Sequence, residues 1–250
     1  TLPYDQEDVI LALAEVAKNL VVVNISGSPV AMPWADSADA IVQGWYGGTE
    51  SGNALADVLT GKVNPSGRLP FSVPFKYEDG PIKTEAQYPG IKTEDDEFWQ
   101  THYSEGVYVG YRWYATQEIP VQFPFGHGLS YTTFEYSNAK AAKPSMTAAG
   151  TLKVSVDVEN TGSVDGAEVV QLYIADPEAS VDRPAKELKG FEKVYLKAGQ
   201  KKTVTFEIDA EDLSYFDAEK HEWVAEPGEF QALLGSSSED LKAMVSFQLK

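Results

Sequence analysis

The chain has 250 residues, 20 basic against 38 acidic side chains for a net charge of −18 at pH 7, a hydrophobic fraction of 43 % and no cysteine. That composition fills one large core or two ordinary ones, which excludes a disordered chain, and the lack of cysteine excludes disulfide scaffolds, thiolate metal sites and a Cys nucleophile. The acidity argues against nucleic acid and anionic membrane partners, both of which draw on clustered Lys and Arg, and no run approaches the ~20 apolar residues of a membrane span. The compartment is left open.

The N-terminus carries no signal peptide and opens directly on Leu2-Pro3-Tyr4-Asp5, so the chain reads as a piece of a longer one. Asp5 is the expected N-cap of a helix with Gln6, Glu7 and Asp8 in its first turn and Val9, Leu13, Val16 and Ala17 on one face. Leu20 to Ile25 is apolar on both faces, as a parallel strand covered on each side should be, and Ser26-Gly27-Ser28-Pro29 ends it. A second buried strand is expected over Ala40 to Tyr46, then the loop Gly47-Gly48-Thr49-Glu50 and a helix over Ser51 to Thr60 closed by Gly61. Strand, helix and strand at this spacing predict a parallel α/β layer. So small a layer would have naked edges, which further strands from a longer chain or a partner would cover.

Between Phe75 and Pro120 periodicity disappears, and aromatic residues alternate with Pro, Gly and the acidic run Glu94-Asp95-Asp96-Glu97. A stretch of ~45 residues without clear elements is longer than an ordinary connection. From Gly128 the period becomes two: Leu152, Val154, Val156 and Val158 alternate with polar residues, as do Val204, Phe206 and Ile208. Further strands are expected at Ala167 to Ala175, Glu187 to Leu196 and Gly228 to Leu234, with turns at Asn160-Thr161-Gly162, Ala198-Gly199-Gln200 and Glu226-Pro227-Gly228. About seven short strands over ~120 residues fit an immunoglobulin-like or fibronectin type III-like sandwich.

Several segments in register resemble the glycoside hydrolase family 3 enzymes, the β-glucosidase family. They include Val21-Val22-Val23-Asn24, Trp45-Tyr46-Gly47-Gly48-Thr49-Glu50-Ser51-Gly52-Asn53-Ala54 and Asn64-Pro65-Ser66-Gly67-Arg68-Leu69-Pro70. Tyr103-Ser104-Glu105-Gly106 through Arg112, Phe123-Pro124-Phe125-Gly126-His127-Gly128-Leu129-Ser130-Tyr131, Arg183-Pro184 and Leu188-Lys189-Gly190-Phe191 extend the resemblance over nearly the whole chain. The resemblance implies three parts: residues 1–75 as the C-terminal part of an α/β/α sandwich domain with a mostly parallel sheet, 76–125 as an aromatic, acidic connector, and 126–250 as a fibronectin type III-like β-sandwich.

It further implies a retaining glycosidase, in which an Asp nucleophile and a Glu acid/base, carboxyls ~5 Å apart, cleave a terminal β-D-glucosyl bond without a cofactor. The nucleophile belongs to a barrel domain and the acid/base to a loop upstream of Thr1, so no catalytic residue is assigned in this chain. The chain's role would be to complete the active-site wall and brace the barrel. The expected partners are a β-glucoside or oligosaccharide and the barrel, with a homodimer through an exposed sandwich edge as a further expectation. β-Xylosidase or exo-glucanase activity, and a stand-alone carbohydrate-binding or scaffolding module, are the alternatives.

The substrate-proximal or interface candidates are Glu50, Trp99, Tyr103, Glu105, Arg112 and Trp113. Glu50 lies where a strand meets a helix, the edge at which open α/β sheets bind ligands, or it stabilises the N-terminus of the following helix. Glu105 is either an active-site rim residue or one half of an interface ion pair with a residue such as Arg112. Trp99, Tyr103, Trp113 and Tyr114 offer aromatic faces either to a pyranose or to interface packing. His102, His127 and His221 have neither metal-ligand spacing nor a carboxylate relay. Gly27-Ser28-Pro29 and Gly61-Lys62 are turns rather than phosphate loops, and the 94–97 run is an exposed acidic loop or a cation site.

Overall fold

The computed structural model describes residues 1–95 and 97–250. Asp96, inside the acidic run, lies outside the described residues.

The N-terminal part holds helix α1 (Gln6–Ala14), strands β1 (Val21–Asn24) and β2 (Ala40–Gln43), and helix α2 (Ser51–Leu59). β1 and β2 pair in parallel with Val22 opposite Ile41. Both strands are shorter than their apolar runs: β1 stops before Ser26-Gly27, and β2 before Trp45, whose φ of 54° turns the chain out of the extended region. Gly61 closes α2 with φ 75°, its N–H donating to the Val58 carbonyl at 3.0 Å.

Two expectations for α1 are corrected. Asp5 occupies the N-cap position, but its φ and ψ of −90° and 23° are not the extended conformation that aims a capping side chain at the first amides, and it makes no capping bond. Glu7 instead reaches back to accept the Leu2 N–H at 3.0 Å. The face of Val9, Leu13 and Val16 is exposed, Val16 to 80 %, while Ile10 packs with Leu2, Val22 and Ile41 against Met32, Trp34 and Ala35. Neither α1 nor α2 has a buried residue.

The middle segment is an excursion with a closed base. Strand β3 (Val73–Pro74) precedes it, the short helix α3 (Tyr111–Thr116) lies within it, and strand β4 (Val121–Phe123) ends it. β3 and β4 pair antiparallel. The seam continues where the Leu69 N–H donates to the His127 carbonyl at 2.8 Å and the Gly126 N–H to the Leu69 carbonyl at 2.7 Å. α3 runs between two residues of positive φ, Gly110 and Glu118, and the aperiodic sequence gave no sign of it.

The C-terminal part contains β5 (Phe134–Ala141), β6 (Ser145–Met146), β7 (Leu152–Asn160), β8 (Gly166–Ala175), β9 (Glu187–Leu196), β10 (Lys201–Ile208), helix α4 (Ala210–Leu213), β11 (Tyr215–Asp217), β12 (Glu222–Val224), β13 (Gly228–Gly235) and β14 (Leu241–Leu249). One sheet runs β10-β7-β5 and the other β6-β14-β13-β8-β9, with β11 and β12 as a separate hairpin. Inward residues of both sheets, among them Val154, Val156, Val170, Leu172, Phe230 and Phe247, form one core. This is the fibronectin-like sandwich the alternation predicts, with β5, β6 and β14 and the β11/β12 hairpin added to the expected strands.

Candidate functional site

The C-terminal ends of β1 and β2 carry a closed amide network. Buried Asn24 donates through Nδ2 to Gln43 Oε1 at 2.8 Å and to Ser26 Oγ at 3.1 Å, and Gln43 Nε2 donates to the Ser26 carbonyl at 2.9 Å. These bonds fix the two loops that leave the sheet at the edge where open α/β folds bind ligands. Trp45 turns its ring edge against Phe71, centroids 5.3 Å apart, and Tyr46 lies exposed over Gly27, where a Cβ would come within 2.9 Å of the ring. Only glycine permits that approach. Glu50 makes no capping bond to α2; its Oε2 accepts from Asn53 Nδ2 at 2.6 Å on the exposed surface.

In the connector the organising residue is Gln87, which sequence reasoning missed. Its Oε1 accepts the Lys83 N–H at 2.8 Å, and its Nε2 donates to the Pro81 carbonyl at 3.2 Å and to Glu105 Oε2 at 2.9 Å. Trp113 joins the same neighbourhood: its Nε1 donates to the Asp79 carbonyl at 2.9 Å, and Lys83 Nζ lies 5.5 Å from its ring centroid. Arg112 pairs with Glu187 at 3.7 Å and not with Glu105, because α3 directs it toward the start of β9, where Arg183 Nη2 also holds Glu187 at 3.0 Å. The expected Glu105 and Arg112 pair is thereby corrected. Trp99 and Tyr103 are exposed, and among the described residues no hydrogen bond or ring contact joins Glu50, Trp99 or Tyr103 to the Gln87 cluster.

The third polar centre fastens the α/β part to the sandwich. Arg68 Nη2 meets Glu168 Oε2 at 2.8 Å with both side chains buried, Tyr136 OH donates to Glu168 Oε1 at 3.1 Å, and Arg68 Nη1 donates to the Gly128 carbonyl. Burial pushes the Glu168 carboxyl above its usual range against the pull of Arg68, and burial likewise raises the Tyr136 phenol. Burial, then the Arg68 charge, hold the His127 imidazole below its ordinary value. Beside it, Gln171 Nε2 donates to the carbonyls of Gly126 and Ser236 at 3.1 and 2.6 Å, and Tyr173 OH donates to Gln171 Oε1 at 2.5 Å. Tyr111 of α3 stacks on Phe125 at 4.7 Å and meets Tyr173 edge-on. A signal for this seam did exist in the sequence: Glu168 shares the inward period of Val170 and Leu172 in β8, and a carboxylate there demands a partner.

The named carboxylates accept hydrogen bonds from the chain's own donors: Glu50 from Asn53, Glu105 from Gln87, and Glu168 from Arg68 and Tyr136.

An α/β unit with open strand ends, sewn through a buried ion pair to a fibronectin-like sandwich, defines the class of molecule. The chain belongs to glycosyl hydrolase family 3: the sequence model of the Glycosyl hydrolase family 3 C-terminal domain matches residues 1–131, and that of the Fibronectin type III-like domain matches residues 168–238. A beta-glucosidase of Bacteroides ovatus, BoGH3A, is 49 % identical over 249 residues, 99 % of this chain and 32 % of that protein. The crystal structure of beta-glucosidase from Kluyveromyces marxianus in complex with glucose superposes with a TM-score of 0.89 at 44 % identity, covering 100 % of this chain and 29 % of that one. DesR, a beta-glucosidase from Streptomyces venezuelae in complex with D-glucose, superposes at 0.92 and 38 % identity over 100 % of this chain and 31 % of that one. The chain thus spans about a third of the length of the relatives it matches.

Proposed function

We propose that this chain supplies the α/β and fibronectin-like portion of a retaining β-glucosidase that releases terminal non-reducing β-D-glucosyl residues. Its similarity along 99 % of its length to a beta-glucosidase of Bacteroides ovatus carries this reading. The chain completes the wall of the active site and braces a barrel domain that carries the nucleophile. The exposed apolar face of α1 and the edges of the two-stranded β1/β2 sheet fit such a partner. Residues 1–75, 76–125 and 126–250 act as wall, connector and brace. Glu105 and Trp113 shape the wall from the connector side, Glu50 and Tyr46 from the strand ends, and Trp99 and Tyr103 offer aromatic faces toward the substrate or the barrel.

The test is the native mass of the material purified from its source together with an aryl-β-glucoside assay on the same sample. A mass larger by a barrel domain, ~250 residues, together with glucoside hydrolysis, is the expected result. A native mass of these 250 residues alone, with no hydrolysis of the glucoside, overturns the reading.

A further inference from the structure

At the end of the sandwich marked by α4, the hairpin of β11 and β12 displays two aromatic rings that the core does not use. Phe216 and Trp223 sit directly opposite each other in the antiparallel register and so project from one face of the hairpin. Their rings meet edge-on at 5.6 Å, and Trp223 remains 67 % exposed. The opposite face is anchored: Tyr215 lies 6.0 Å from the Arg183 guanidinium, which itself donates to the Leu213 carbonyl at 2.8 Å and to Asp176 at 3.0 Å. The hairpin is therefore held from below while it presents Trp223 outward.

Beside Trp223 is a cleft of about 250 Å³ lined by Lys189, Asp209, Glu211 and Asp212. Its carboxylates are positioned by the capping box of α4. Asp209 Oδ1 accepts the N–H groups of Glu211 and Asp212 at 2.9 and 3.3 Å, and Asp212 Oδ2 accepts the Asp209 N–H at 3.1 Å. Each of those carboxylates keeps its other oxygen as a fixed acceptor, Glu211 adds two more, and the Lys189 ammonium adds donors.

We propose that Trp223 and this cleft form a carbohydrate-binding surface for a neutral glucan or oligosaccharide chain. A sugar unit presents a C–H face that stacks on an aromatic ring and a rim of hydroxyls that both donate and accept; this cleft supplies a ring, acceptors and a donor within one small volume. The carboxylates oppose an anionic ligand. Lys189, among them, offsets part of that negative charge, and among the described residues no group of three or more metal-ligating side chains converges.

The test is calorimetric titration of the 250-residue chain with cellopentaose and with laminaripentaose, repeated on Trp223→Ala, Trp223→Phe and Glu211→Gln. The expected result is binding by the wild type, roughly tenfold weakening in Trp223→Ala, near-complete retention in Trp223→Phe and a smaller loss in Glu211→Gln. Melting temperatures should be nearly unchanged, since Glu211 and Trp223 are exposed. No binding of either pentasaccharide by the wild type, equal binding by Trp223→Ala, or Trp223-dependent binding of oligolysine without oligosaccharide overturns the proposal. Hydrolysis of a small aryl-glucoside by the enzyme containing this chain should not change in Trp223→Ala, so this site and the proposed catalytic assembly fail independently.

Discussion

Arg68 and Glu168 meet at 2.8 Å across the boundary between the α/β part and the sandwich, their side chains 10 % and 4 % exposed. Such a pair repays the desolvation of its charges only when each finds its partner, so it reads out whether the two parts are docked in register. Tyr136, from β5, adds a third anchor to the same carboxylate.

Removing one member should therefore cost far more than removing both. Arg68→Met or Glu168→Leu alone should lower stability by about 3–5 kcal/mol, while the double variant Arg68→Met/Glu168→Leu should recover most of the loss. Urea unfolding of the four proteins measures the coupling. Additive losses would remove the pair as the docking element.

His127 makes stability fall on acidification. Its folded-state affinity for a proton is held below that of the unfolded chain, whose value is near 6.5, so the unfolded state binds more protons as the pH drops through that range. The contribution is fully present above the unfolded value and is lost as pH falls below it. Melting temperature should decline between about pH 7.5 and 5.5, and His127→Gln should flatten that part of the curve. An unchanged slope in the variant would assign the decline elsewhere.

Gly126 should tolerate no side chain. Its φ is 81°, and a Cβ would overlap the Gln171 amide that bonds the Gly126 and Ser236 carbonyls. Strain in the left-handed region and overpacking together predict a loss of about 2–4 kcal/mol for Gly126→Ala. Denaturant titration checks the value; a loss under ~1 kcal/mol would mean that the seam yields easily.

Hydrogen exchange should divide the chain sharply. α1, with no buried residue, should exchange first, and β7 and β8, whose inward side chains are buried, should exchange last. Addition of a polypeptide that covers the Val9, Leu13 and Val16 face should protect α1 selectively. Protection of α1 equal to that of β7 in the isolated chain would contradict the exposed face.

The sandwich was legible because period-two alternation is strict where one face is buried. β7 and β10 follow it residue by residue, whereas β5 does not: its register shifts between Ser137 and Lys140, around an Asn138 of φ 54°. The parallel pairing of β1 with β2 was legible from their uniform apolar runs, but the expected burial is not found: Asn24 alone of their residues is buried, and Val21 is exposed. The buried side of α1 was not, since helical periodicity names a stripe without naming what covers it, and Ile10 won the contact with Met32 and Trp34 over Val9 and Leu13. Among the site candidates, Glu105 and Trp113 do share a neighbourhood, but the residue that unites them is Gln87, a polar side chain whose sequence context looks like any loop. Pair partners such as Glu187 for Arg112 depend on long-range packing of α3 that the aperiodic segment does not encode locally.

The antiparallel seam of β3 with β4, extended by Leu69 against Gly126 and His127, shuts the base of the excursion over residues 76–120. Its two ends are thus fixed next to each other whatever lies between them. Lengthening such a closed loop costs only about 0.6 kcal/mol per doubling. Length changes within the segment are therefore cheapest outside α3, whose Tyr111 and Arg112 reach Tyr173 and Glu187 of the sandwich, while the stitched base carries the register of the flanking framework unchanged.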